Sequence, residues 1–340
     1  MSEIELRDAI LRHALQLQRL SANDQREALK LLAELEDELR KLLASNVLSE
    51  AGKREIAALI NEADALIVPT YGQIAGITDT HGLAIIIADK TVAALEDVFP
   101  VAIATPTAER LASLTKDVLI DGAPSSAWWA KQGEDLSFRF AAQVRQGVAN
   151  GETNERIVAR IVGRRAEPGI LDIARRNVRV LVHSSVMAAA NDARLATFRK
   201  NSALIAGVRW LSTLDSHTCA TCAALDGAAW DLDGKRFKDT KIDFTAPPKH
   251  WACRCVLSPV PKSMADLGID EPDEGERASS EGPISATTSF QDFLARQSPA
   301  FVERVLGKRR AELFLAGKLT LADLVSGTGR ELTLEELLDT

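Results

Sequence analysis

The sequence predicts a mainly α-helical protein with long helices, one small α+β module holding a single short β-hairpin, and a helical C-terminal tail. Three observations predict it. Hydrophobic residues make up 46% of the 340 and aromatics only 5%, so the core must come chiefly from Leu, Ala, Val and Ile. That composition favours packed helices over a sandwich or barrel. Apolar residues recur at spacings of three and four along several segments, the period of a helix face. All four cysteines, Cys219, Cys222, Cys253 and Cys255, fall in one stretch, next to a segment where apolar and polar residues alternate as in a strand.

The length accommodates roughly two or three domains of about 100–200 residues. Five regions can be read: an N-terminal helical region 1–104, a helical body 105–205, the α+β module 206–262, an acidic flexible linker 263–289 and a helical tail 290–340.

Residues 1–65 read as helices. Leu32, Leu35, Leu39 and Leu42 alternate spacings of three and four, which sets them on one helical stripe. The stripe is too short for a coiled coil and reads as packing within the fold. Ser45-Asn46 ends this element, and a second helix follows over 50–67. Gly and Thr punctuate 71–82, and the apolar run 83–87 fits a buried strand or a helix start, which periodicity does not separate. Thr105-Pro106 offers an N-cap and a first-turn proline for a helix ending near Gly122. Residues 125–150 read as one long helix closed by Asn150-Gly151, with Trp128, Trp129, Phe138 and Phe140 as packing anchors. A short helix over 154–162 follows. The next helix, 170–199, carries Ile173, Val180, Met187 and Ala190 at helical spacing.

Val208, Trp210 and Ser212 then alternate with Arg209 and Leu211, predicting a short strand over 208–214 with 228–232 as its hairpin partner. Within 263–289 the string IDEPDEGERASSEGP is acidic and rich in Ser, Pro and Gly. Such a segment buries little apolar surface and reads as a linker. In the tail, Ser298-Pro299 opens a helix, Thr333 with Glu336 fits a capping box, and Thr320 with Asp323 is a looser version of it. No solenoid repeat is present.

The net charge of −7 argues against a nucleic-acid binder, which carries a basic domain or stripe. Arg164-Arg165 and Arg175-Arg176 read as solvated helix faces. The first ten residues mix charged and apolar types, unlike a signal peptide. The longest tight apolar run, 83–88, is far short of the roughly 20 residues that span a bilayer. A soluble protein made in the cytoplasm is expected, where clustered cysteines read as a metal site before they read as disulfides.

The cluster consists of Cys219-Ala-Thr-Cys222 and His250-Trp-Ala-Cys253-Arg-Cys255. Two thiolates separated by two residues reach one ion from a tight turn, and a second pair from a distant segment completes a tetrahedron. The expected cofactor is one structural Zn2+ per chain, because a small β element has little core of its own and bound metal contributes to its folding. Five candidates compete for four places. All four cysteines would serve. So would Cys219 and Cys222 with His250 and one of Cys253 or Cys255. Disulfides or unliganded thiols are the remaining alternative. His217 reads as polar surface, and His13, His81 and His183 as isolated residues.

No catalytic residues are expected. The chain lacks a His-x-Glu followed by Pro-Cys-x-x-Cys, a His-Glu-x-x-His, a P-loop and a Gly-x-Ser-x-Gly. Asp215, Asp226, Asp231 and Asp233 surround the cluster and could act as acid–base groups. Asp226-Gly227 and Asp233-Gly234 read first as turn pairs.

The string from Trp210 through Asp215, Cys219, Cys222 and Asp226-Gly227, closing with Pro247-Pro248-Lys-His250-Trp-Ala-Cys253-Arg-Cys255, resembles the signature of phage head morphogenesis proteins, the minor head proteins similar to protein F of bacteriophage Mu. Residues 123–161, 183–201 and the tail from Phe293 resemble the same family more weakly. The resemblance implies a structural virion protein made in the infected bacterium, present in several copies at the portal vertex inside the head. It implies the portal protein and the major capsid protein as partners, packaged DNA by proximity and no membrane, with a role in head assembly or DNA delivery. The alternative is a zinc-dependent nuclease or hydrolase packaged in the virion.

Overall fold

The computed structural model describes residues 3–46, 48, 51–116, 118–164, 167–237, 240–262, 276–285 and 287–338. The first part of the expected linker, 263–275, lies outside the described residues. In chain order the elements are α1 (Glu3–Ala44), α2 (Lys53–Ala75), α3 (Thr80–Glu96), α4 (Ala108–Thr115), the hairpin β1 (Leu119–Ile120) and β2 (Ala123–Pro124), α5 (Ser125–Ala149), α6 (Asn154–Val162), the hairpin β3 (Gly163–Arg164) and β4 (Glu167–Pro168), and α7 (Ile170–Lys200). Then come β5 (Ile205–Leu211), α8 (Ala220–Leu225), β6 (Ala229–Asp231), β7 (Val256–Pro261), β8 (Glu276–Ser279), β9 (Gly282–Ser285), α9 (Phe290–Ala295), α10 (Pro299–Leu306), α11 (Lys308–Leu315), a 3-10 turn (Leu321–Leu324) and α12 (Leu334–Leu338). The fold is mainly helical, as composition and periodicity predict.

Several elements differ from the sequence reading, each for a local reason. The leucine stripe buries Leu32, Leu35 and Leu39, but its next buried member is Leu43 rather than Leu42. The run 83–87 belongs to α3, whose buried Leu83, Ala84, Ile87, Ala88, Thr91 and Val92 keep helical spacing. Helix α4 is capped by Thr107, whose side chain accepts from Arg110 N, rather than by Thr105, and it stops at Thr115. Asp121 and Gly122, both with positive φ, make the tip of a two-residue hairpin there; Asp-Gly is a strong signal for such a turn. Phe138 is 75% exposed and is no packing anchor, while Trp129 and Phe140 are buried.

The chain divides into two compact units. One comprises 19–79 and 117–186. In it α2 packs on α5, where Gly133 meets the ring of Tyr71. Asn154, at the start of α6, donates to Leu43 O and accepts from Leu48 N, which ties down the end of α1. The other unit comprises 1–18, 80–116 and 187–340. Its centre is a three-stranded antiparallel sheet in the order β6-β5-β7. The hairpin expected from 208–214 and 228–232 is therefore two-thirds of a sheet, and β7, which follows the last cysteine, is the strand the sequence reading missed. Gly207 is required in β5 because a Cβ there would lie 2.0 Å from Trp230 O.

Residues 276–285, expected to be part of a flexible linker, form the hairpin β8–β9 in the register Glu276↔Ser285 and Arg277↔Ile284. Its acidic and small residues face solvent, while Arg277 is 3% exposed. The tail then folds around α8. Phe290, Phe293, Leu294, Val302 and Leu324 share one apolar cluster with Leu214, Ala220 and Ala223.

Candidate metal centre

The five predicted donors come from two chain segments that the sheet brings together. Strand β5 delivers Trp210, fully buried, and beyond it Ser212. The indole Nε1 of Trp210 donates to Ser212 Oγ at 3.1 Å, and that hydroxyl donates to Cys222 O at 2.6 Å. This chain of bonds fixes α8 against the end of β5. Cys219 is the N-cap of α8, its sulfur accepting from Cys222 N at 3.4 Å. The two-residue gap therefore puts both sulfurs at the first turn of one short helix. On the other segment, Cys253 N donates to His250 O, closing a turn in which Ala252 has φ +60. That turn aims His250 and Cys253 back at α8.

The contacts are close. His250 Nε2 lies 3.2 Å from Cys219 Sγ and 3.1 Å from Cys222 Sγ, and Cys222 Sγ lies 3.7 Å from Cys253 Sγ. The donors form two triads, Cys219–Cys222–His250 and Cys222–Cys253–Cys255, with ligand atoms within 4.8 Å of one another. Cys222 belongs to both. His250 Nδ1 lies 2.8 Å from Trp251 O; a proton donated there leaves the Nε2 lone pair facing the sulfurs, the way a backbone carbonyl orients a metal-binding imidazole. Cys255 is buried, and its thiol donates to Ser212 Oγ at 3.6 Å.

The protons are shared unevenly. The bond from Cys222 holds the Cys219 thiol down at about 5, with His250 assisting against the burial that opposes it. His250 is pushed up to about 11, first by Cys219 and then by Cys253. Cys253 is held well below the ordinary thiol range, chiefly by Cys222. Cys222 is raised, chiefly by its bond with Cys219, and burial raises Cys255. Five donors packed this tightly hold thiolates that only shared protons or a cation can neutralise. A metal ion favours the unprotonated form of every ligand and displaces those protons. The cluster is therefore able to bind a metal ion.

The acidic residues beside the cluster are engaged elsewhere. Asp215 receives both ends of the Arg254 guanidinium at 2.6 Å. Burial raises its carboxyl, and Arg254 outweighs that and leaves it lowered. Asp226 is 2% exposed at its side chain and accepts four hydrogen bonds from three residues: Arg277 at 2.6 and 3.0 Å, Ser212 N at 2.8 Å and Phe290 N at 3.0 Å. Asp231 accepts from Asp233 N and Lys235 N, ordinary turn chemistry. His217 is 81% exposed and stands outside both triads. Helix α7 supports the far side of the site, since Asn191 donates to Cys255 O at 3.3 Å and accepts from Leu257 N at 3.2 Å.

Sequence reasoning brought the five donors together but missed Ser212, Asn191 and Arg277. Arg277 carried one usable signal: Glu281-Gly282 marks a turn between two short segments.

Residues 139–258, from the middle of α5 into β7, match the family model described as phage Mu protein F like protein. The stretch includes all five donors, and it supports a phage head morphogenesis family similar to Mu F. No curated protein and no solved structure matches the chain. Among the described residues, no helix is long and apolar enough to cross a membrane.

Proposed function

We propose that the chain is a minor structural protein of a phage head whose knuckle, 205–261, closes around one zinc ion. The observation that carries this reading is the convergence of five sulfur and imidazole donors inside the stretch that matches the Mu F-like family. The donor chemistry fits zinc. A tetrahedral ion with Zn–S bonds of about 2.3 Å sets its sulfurs about 3.8 Å apart, and Cys222 and Cys253 are 3.7 Å apart. Cys219, Cys222, His250 and Cys253 are the ligands in this reading. Cys255, whose thiol is bonded to Ser212, is an inner packing residue. When bound, the ion supplies a cross-link between α8 and the 250–253 turn.

The role is structural rather than catalytic. A hydrolytic reading needs a free carboxylate beside the ion, and Asp215 and Asp226 are both held by arginines. A closed site of four protein ligands also leaves no position for water. The ion, sheet and docked tail present one rigid surface, which we assign to contacts with the portal and the major capsid protein in the head interior, in several copies per virion.

The test is elemental mass spectrometry on protein purified without added metal, combined with assembly of heads carrying Cys222→Ser. One zinc per chain, unchanged in Cys255→Ser, lost in Cys222→Ser, and heads that lack the variant chain are expected. Absence of zinc overturns the knuckle. Normal incorporation of the metal-free variant overturns its role in assembly.

A further inference from the structure

The unit built from 19–79 and 117–186 holds a cavity of about 590 Å3 that the metal centre does not involve. Arg156 and Arg160 of α6 and Arg164 of β3 line it, together with Glu152 and Glu167. The first two arginines are one helical turn apart, so their forks are carried about 6 Å apart along the axis. Arg164 lies in β3, just past the end of the helix.

The three guanidinium groups are not equally satisfied. Arg160 bonds to Glu152 at 3.0 Å and donates to Gln143 O at 3.1 Å, but its buried Nε–H has no acceptor. The side chains of Arg156 and Arg164 make no hydrogen bond or ion pair among the described residues, and both residues are exposed. With Glu152 committed to Arg160, the other lining carboxylate, Glu167, stands opposite Arg164 in the β3–β4 register and makes no ion pair among the described residues. Two side chains without partners among the described residues and the part-buried Arg160 thus line one cavity of a chain whose net charge is −7. Arginine forks match phosphate and carboxylate oxygens in pairs. A single small anion would engage one fork; a row of forks suits a row of anionic groups at regular spacing.

We infer that this groove binds the phosphate backbone of nucleic acid, taken here as duplex DNA, through Arg156, Arg160 and Arg164 and without reading bases. The inference rests on this unit alone and stands whether or not the knuckle holds zinc. It departs from the expectation, drawn from overall charge, that the basic residues here are only a solvated face.

The experiment is fluorescence anisotropy of a labelled duplex titrated with the full chain over a range of salt concentrations. Wild type should bind at low salt with an affinity that falls steeply as salt rises. Arg156→Gln with Arg164→Gln should weaken binding by about tenfold or more and reduce the log–log salt slope by about 2, one per lost phosphate contact. Arg156→Lys with Arg164→Lys should keep most of the slope, because lysine still neutralises phosphate as a point charge. Both positions are exposed, so the circular dichroism and Tm of the variants should match wild type. Absence of binding by wild type, an unchanged slope in the glutamine variant, loss of binding on chelation of metal, or tighter binding of polyglutamate than of the duplex would each overturn the inference. The last result would assign the groove to an acidic protein instead.

Discussion

Arg277, at the joint between the knuckle and the tail, is 3% exposed and donates to both oxygens of Asp226, to Ser212 O at 2.8 Å and to Thr288 O at 3.0 Å. Arg194, on the part of α7 in the same unit, is 0% exposed, yet none of its three nitrogens finds an acceptor among the described residues. Burial lowers its pKa to about 10, so it still carries its charge at neutral pH. The nearby groups that it acts on repel rather than pair: His13 is held down at about 4 by burial first and then by Arg194 and Lys90. The first region is a specified joint, in which a buried charge fixes four acceptor atoms on three residues. The second carries a charge for which no acceptor is found among the described residues. Desolvation opposes both arginines, and only the first recovers it through geometry.

The largest effect should come from removing the support under the joint. Cys222→Ser breaks both donor triads, and structural zinc contributes on the order of 10 kcal/mol of apparent folding energy in small domains. We expect loss of the metal together with loss of hydrogen-exchange protection across 205–261 and in the tail helices. Retained protection would mean that the Asp226–Arg277 joint holds the region without the ion.

Arg277→Met should come next. It leaves Asp226 buried without its cation, a change that costs about 3–5 kcal/mol in comparable pairs. Urea denaturation of the variant reads this directly. Adding Asp226→Leu should recover most of the loss, since an apolar pair of similar volume is often neutral. A double variant no better than the single one would show that Asp226 acts mainly through Ser212 N and Phe290 N.

Arg194→Met should have the opposite sign. Replacing the unpaired guanidinium by an unbranched apolar side chain should stabilise the fold by about 1–3 kcal/mol. A loss of stability would mean that Arg194 has a partner outside the chain, and the contrast between the two arginines would fail.

A smaller effect follows from His13. Its folded pKa is depressed to about 4, below the unfolded value of about 6.5. The unfolded chain therefore binds the proton first, and stability falls as pH drops from about 6.5 to about 4. Partial exposure limits the contribution to about 1–2 kcal/mol. Arg194→Met should flatten this window, because the neighbouring charge is gone. A window of the same depth in that variant would assign the shift to burial and the other neighbouring cations, Lys90 and Arg12.

The smallest change is Ala252→Gly. Ala252 holds φ +60 in the turn that aims His250 and Cys253, a conformation costing an L-residue about 1–2 kcal/mol that glycine adopts freely. The variant should bind zinc at least as well and melt slightly higher. Weaker zinc binding would mean that the alanine side chain itself holds the turn.

Much of the helical fold was legible because its signals act within one or two turns. The ends of α6 were read as 154–162 and found there. The Ser298 cap, the Thr333–Glu336 box and the Thr320–Asp323 box all form as their spacings imply. The donors were legible because ligand spacing is a local property on each segment. Strand β7 was missed because its pairing partner, β5, lies some fifty residues upstream and its sequence, Val256–Pro261, includes two prolines. The hairpin β8–β9 was hidden by an acidic, Ser-rich composition whose one buried residue, Arg277, finds Asp226 across 51 positions.

By itself the sequence determined that the chain is mainly helical, where several helices are capped, and that two short segments carry sulfur and imidazole donors. Periodicity, capping and ligand spacing are fixed by neighbours along the chain, so one sequence suffices to read them. Only the tertiary structure decided that Asp226, in the Asp-Gly turn that the sequence predicts, is also a joint to Arg277, that Cys255 faces Ser212, that 276–285 is a hairpin, and that one buried arginine is paired while another finds no acceptor among the described residues. Those outcomes depend on which polar groups are excluded from water together, and burial is a property of the packed chain.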